Sequence, residues 1–212
     1  MAGSYDFEEQ ERLAELRAWW EDNRLYVIAA IVAAIVAYAG WQGWKWWGNR
    51  QAEDAAAMYK PVAEAVKTSD AKKISDAAQP LIAKHPRSFY ASESALYAAK
   101  AAFDAGNLDE ARKQLEWVMN HGVDEHRGVA LTRLAGVLLE QKKYDEALKV
   151  LDGNKDEAFA ASVADVRGDV MLAQGRLDEA RAAYKAAVEK SQGRNPVKQI
   201  AETKLNALGG GQ

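Results

Sequence analysis

The 212-residue chain has no cysteine at all, which excludes a disulfide framework, a thiolate metal site and a cysteine nucleophile. It leaves the compartment open, because a cysteine-free domain persists equally in a reducing cytoplasm and an oxidising periplasm. Proline is scarce, with four residues, and no segment alternates apolar and polar side chains with the period of a strand; the expectation is an all-α fold. An excess of positive charge is missing too. Four of the 28 Lys+Arg and seven of the 31 Asp+Glu fall in residues 1–47, so the remainder carries 24 of each. Nucleic acid binding requires a concentrated basic face, and the balance predicts none.

Long hydrophobic runs are also absent, with a single exception. From Leu25 to Trp44, "LYVIAAIVAAIVAYAGWQGW" holds 20 residues without a formal charge. At about 1.5 Å per residue this run spans roughly 30 Å, the thickness of a hydrocarbon core. Its seven branched aliphatics contribute about −2 to −4 kcal/mol of insertion free energy. Four of the seven tryptophans crowd into residues 41–47. Trp19 and Trp20 flank one end of the run and Trp41, Trp44, Trp46 and Trp47 the other, as expected of amphipathic rings anchored in the two headgroup zones of a lipid bilayer. The run is read as a signal anchor, since residues 1–24 carry three arginines against seven acids where a cleavable signal begins with a basic segment. The basic residues on its two sides balance, so charge alone leaves the topology open. The alanine ladder Ala29, Ala33, Ala37 is either a packing surface for another membrane helix or simple filler.

The rest of the chain is periodic. "GNLDEARKQL", "KKYDEALKVL" and "GRLDEARAAY" align on Ala111, Ala147 and Ala180, near the 34-residue period of helix-turn-helix repeats. Twelve positions before each alanine stands a small residue, Ala99, Ala135 or Gly168, where paired helices must approach closely; four positions after stands Leu115, Leu151 or Tyr184. In the turns, Gly106 and Gly175 supply a positive φ, Asp109 and Glu110 suit a helix N-terminus, and Leu108 or Leu177 packs under the bend. Lys142 replaces glycine in the middle unit, which predicts a turn closed differently there. Residues 49–68 and "SDAKKISDAAQPLIAKHP" form a degenerate first pair, with a kink or late start at Pro80, and Asn195–Pro196 open a capping helix to about Leu208. The expected architecture is one transmembrane helix followed by a tetratricopeptide-repeat-like α-solenoid of about four helix pairs plus a C-terminal capping helix. The expected limits are 1–24 for a short tail, 25–47 for the membrane helix, 48–208 for the repeat domain and 209–212 for a flexible tail.

Chemistry is sparse. His85, His121 and His126 lie in predicted turns without ligand spacing and read as surface histidines. No nucleophile, base and orienting group come together, and neither a metal nor a cofactor site is expected. What a solenoid offers is a concave face lined by the first helix of each pair. The alignment assigns to it Glu93, Leu96, Lys100 and Phe103, then Thr132, Leu139 and Glu140, then Asp165, Asp169 and Leu172. The alternative for each is ordinary packing or solvated charge.

In order, "RAWWEDNR", one span, "GWKWWGNRQ" and the units ending "SVADVRGDVMLAQGRLDEARAAYKAAVEK" give the chain its likeness. It resembles the YfgM-type family, ancillary subunits of the bacterial SecYEG translocon. The resemblance implies a cytoplasmic N-terminus, a single-pass helix in the inner membrane and a periplasmic repeat domain. It further implies association with the SecYEG translocon and a membrane-anchored periplasmic chaperone, helping exported polypeptides onward without enzymatic chemistry. A cell-envelope scaffold, acting through homo-oligomerisation or assembly of other membrane proteins, is the rival expectation.

Overall fold

The computed structural model describes residues 3–191 and 195–209. The tail expected at 209–212 lies, beyond Gly209, outside these residues. Backbone contacts divide the chain into two units, residues 1–51 and 52–212. The first helix, α1, spans Gly3–Lys67, and its stretch from Ala52 onward belongs to the second unit.

In the first unit the apolar run is helical throughout and no part of it is buried; its most apolar 18-residue window has a mean hydropathy of 1.8. Ile28, Ile31, Val32, Ile35 and Val36 are each more than half exposed. A stretch of this kind has no polar side to present to water, and it is long and apolar enough to cross a membrane. The tryptophans that follow hold the nearby cations: the Lys45 ammonium sits 5.3 Å from the Trp41 ring and the Arg50 guanidinium 5.0 Å from Trp46. Each pair lies four residues apart, one turn along the helix.

The second unit contains the end of α1 and α2 (Ala71–Lys84), α3 (Phe89–Asp104), α4 (Leu108–His121), α5 (Asp124–Glu140), α6 (Tyr144–Asp152), a 3₁₀ turn at Glu157–Phe159, α7 (Ala160–Ala173), α8 (Leu177–Lys190) and α9 (Pro196–Ala207). No strand occurs among the described residues. These are four helix pairs and a cap, as the periodicity predicts. Side chains at the helix starts explain several boundaries: Asp70 accepts from the Lys72 and Lys73 amides, Ser88 from Ala91, Asn107 from Glu110 and Asn195 from Val197. With Asp70 as its cap, α2 begins ahead of Pro80, which is exposed inside it; the late start does not occur.

The repeat anchors carry the core. Ala111, Ala147 and Ala180 are fully buried, and Leu115, Leu151 and Tyr184 reach at most 1% exposure. Burying each of these larger side chains is worth about 1.5–3 kcal/mol. One apolar cluster runs through α3 to α7, and a second joins Ala55 and Val62 of α1 to Ile74, Ala78 and Leu81 of α2 and Ala91 and Ala98 of α3.

The three repeat turns share one geometry. Gly106, Lys142 and Gly175 have φ of 77°, 59° and 74°. In each, the next amide reaches back across the helix end, Asn107 to the Ala102 carbonyl, Lys143 to Leu138 and Arg176 to Met171, at 2.8 to 2.9 Å. The expectation of a different closure at Lys142 is therefore corrected: the hydrogen bonds force a left-handed residue there, and lysine adopts it. Leu108 packs on the core as expected, whereas Leu177 is 45% exposed. The last repeat turn opens onto α9, not onto another full repeat, and has less to cover its leucine.

His85 corrects the surface reading of the histidines. It is buried at the C-terminus of α2, with Nε2 2.6 Å from the Asp54 carboxylate on α1, while Lys84 meets the same oxygen at 2.6 Å. Those two hydrogen bonds, Lys84 first, hold the Asp54 carboxyl below its ordinary range. His121 is exposed and stacked on Trp117, and His126 is half-buried against Phe89, ring centroids 4.5 Å apart.

Candidate functional site

The first helices of the second, third and fourth pairs are α3, α5 and α7, and they line a groove of about 480 Å³. Its floor is made by Ala99, Leu115 and Val137, all buried. Phe103 and Leu139 form its apolar walls, and Lys100, Asp104, Arg133, Glu140 and Asp169 supply charge. The small residue at position 99 is what the repeat requires for close helix approach, and here it also leaves the floor low.

Of the residues assigned to the concave face from the sequence, the groove brings together Lys100, Phe103, Leu139, Glu140 and Asp169. Phe103 is 40% exposed, and Leu139 is half-buried against the core. Lys100 is paired with Asp104 at 2.5 Å, one turn along α3, which neutralises that corner. The other five, Glu93, Leu96, Thr132, Asp165 and Leu172, fall elsewhere. Leu96 is only 7% exposed and belongs to the core cluster, so it presents no surface. Thr132 turns its hydroxyl to the Gly128 and Val129 carbonyls of its own helix. Leu172 is exposed on α7 but does not line the groove. Glu93 instead accepts from the Tyr97 hydroxyl at 3.4 Å.

Asp165 and Asp169 have a second task that the repeat alignment does not reveal. Lys204 of α9 lies 2.9 Å from the Asp165 carboxylate and 2.7 Å from that of Asp169, and the Tyr184 hydroxyl donates to Asp169 at 2.8 Å. Burial raises the Asp165 carboxyl above its ordinary range against the pull of Lys204, with Asp169 adding to the rise. Burial alone would lower Lys204, yet its bonds to Asp169 and Asp165 keep it raised and charged. The cluster adds charge to the apolar contacts of the cap, in which Ala201 is buried with Ala164 and Ala187 while Leu205 and Leu208 pack against Met171, Ala180 and Tyr184. The i,i+4 spacing of the two aspartates was visible, but nothing in the sequence pairs them with a lysine 35 residues on.

Arg133 and Gly136 were not assigned to the face from the sequence. The one available signal was Gly136, a glycine inside a strong helical stripe, where it costs about 1 kcal/mol of helix propensity and therefore asks for a reason.

Comparison with known proteins adds to this geometry. The family description "Tetratricopeptide repeat-like domain" matches residues 17–210. The ancillary SecYEG translocon subunit of Neisseria gonorrhoeae is 31% identical over 203 residues, covering 95% of this chain and 97% of the relative. That of Haemophilus influenzae is 28% identical over 206 residues, 97% and 100% of the two chains. That of Escherichia coli K12 is 34% identical over 158 residues, 74% and 75%.

Proposed function

This chain belongs to the family of ancillary SecYEG translocon subunits with a tetratricopeptide repeat-like domain, and from that premise we propose that it is a membrane-anchored, non-enzymatic binding module of the Sec export machinery. Its helical anchor keeps the repeat domain beside the SecYEG translocon. The α3–α5–α7 groove engages polypeptides emerging from it and helps pass them to a membrane-anchored periplasmic chaperone. The N-terminus lies in the cytoplasm and the repeat domain in the periplasm.

The observation that carries this reading is the groove itself: an apolar floor and walls with charge at the rim, on the face a helical-repeat solenoid uses for recognition. A surface of this composition suits weak contact with extended chains, and anchoring raises the effective concentration enough for weak contact to suffice. Mixed, mutually neutralised charge such as Lys100–Asp104 suits binding better than proton transfer.

A photo-crosslinker placed at Phe103 or Leu139 during export tests the proposal. Adducts with newly synthesised exported proteins support it. Adducts only with further copies of this chain favour the scaffold reading and overturn the client-binding one. Reporter fusions after residue 24 and at the C-terminus test the orientation, and a cytoplasmic C-terminus rules out a periplasmic domain.

A further inference from the structure

The middle of the groove has a feature that the other repeats lack. Apart from its own helix's backbone and its chain neighbours, a Cβ built on Gly136 would meet no atom within 4 Å, and Gly136, near the C-terminal end of α5, lines the groove together with Phe103 and Leu139. In the repeat register Gly136 aligns with Lys100 of the preceding pair and Asp169 of the next, both of which put a side chain into the same groove, whereas the close-approach position of this unit is Ala135, aligned with Ala99 and Gly168. The space over Gly136 is therefore not a requirement of helix packing. It leaves a notch in the groove that Ala99 and Val137 also line.

Charge brackets the notch. Arg133 and Glu140 line the same groove, and neither has an ion-pair partner among the described residues, whereas Lys100 and Asp169 are paired. They are seven residues apart on α5, two turns, or about 10.5 Å along the axis. An extended chain rises about 3.3 Å per residue, so this separation equals three residues of a bound strand.

Resting on the reading of this groove as a client-binding surface, we propose that it selects an extended polypeptide segment with one bulky apolar residue seated over Gly136. The segment carries an acidic side chain three positions from a basic one, the acid facing Arg133 and the base facing Glu140. The opposed charges on α5 impose a direction on the bound chain, which apolar contact by itself does not.

The test uses the full chain in detergent and two fluorescein-labelled peptides in a Gly/Ser context, one containing Glu-Ala-Leu-Lys and the other Lys-Ala-Leu-Glu. Anisotropy titration is expected to show binding with a preference of at least threefold for one order. Gly136→Leu fills the notch and is expected to weaken the preferred peptide at least tenfold. The empty surroundings predict that the variant retains its helical melt. The double exchange Arg133→Glu with Glu140→Arg is expected to reverse the preferred order. Failure of both peptides to bind, equal binding of the two orders, or a Gly136→Leu variant that binds like wild type each overturns this inference. If client adducts still form at Leu139 in the Gly136→Leu chain, the groove binds clients by another feature and only the notch assignment falls. If the wild-type chain gives no client adducts, the groove reading fails with it.

Discussion

Gly168 of α7 lies directly beneath the phenol ring of Tyr184 of α8: a Cβ on Gly168 would stand 2.4 Å from Cε1 and 2.5 Å from Cδ1. The ring cannot retreat easily, being fully buried and held through its hydroxyl to Asp169. Gly168→Ala is expected to destabilise the domain by roughly 1–2 kcal/mol, because overpacking outweighs the gain of about 1 kcal/mol in helix propensity. Gly136→Ala, with open space around it, should stabilise by up to about 1 kcal/mol. Opposite signs in thermal or urea melts check both; equal signs would mean that the contact, not the propensity, has been misjudged.

Lys142 occupies a left-handed turn that its two sister repeats give to glycine. Relieving the Cβ clash while adding unfolded-state entropy leaves a net gain of about 0.5–1 kcal/mol for Lys142→Gly. A raised urea midpoint with unchanged slope is the expected result. Gly106→Ala and Gly175→Ala should move the midpoint the other way.

Lys204 lies between two carboxylates, one of them largely buried. Lys204→Met removes the charge and leaves Asp165 and Asp169 facing each other, at a cost of about 1–2 kcal/mol once the remaining solvent exposure is allowed for. Adding Asp165→Asn should recover part of that loss. Because burial raises the Asp165 carboxyl, it takes up a proton above 3.8 as pH falls, so the deficit of Lys204→Met should shrink on acidification. Hydrogen exchange in α9 would register the loosened cap first.

The Asp54 carboxyl is shifted the other way. It is lowered from 3.8 by Lys84 and His85, so its stabilising contribution is present above that value and lost as pH falls through the lowered folded one. The stability difference between wild type and Asp54→Asn should be at its full size near neutrality and vanish in acid. A difference that fails to shrink as pH falls below 3.8 would assign it to packing rather than charge.

Much of this molecule was legible before any coordinates. The 25–44 run and the Asp-Glu-Ala repeat each encode a short-range rule: a length against bilayer thickness, and a period near 34 residues against paired helices. The same period puts a small residue, Gly168, at a close helix approach, because that approach is local to one repeat; that the Tyr184 ring fills the space is a finding of the structure. Lys142 departs from the glycine of its sister turns, yet the backbone hydrogen bond from Lys143 to Leu138 enforces the same left-handed closure, which a residue type alone does not announce. His85 is buried and not a surface residue because it meets Asp54, 31 residues away on another helix and beyond any local pattern.

The sequence by itself determined the helices, their pairing order and the membrane helix, because these depend on residues within one turn or one repeat of each other. Only the tertiary structure decided that Leu96 turns into the core, that Lys204 draws Asp165 and Asp169 toward the cap, and that Gly136 opens into the groove. Those outcomes depend on how far each helix rotates about its axis when it packs. That rotation is set by the summed fit of side chains from three or four helices at once, a quantity no single stretch of sequence contains.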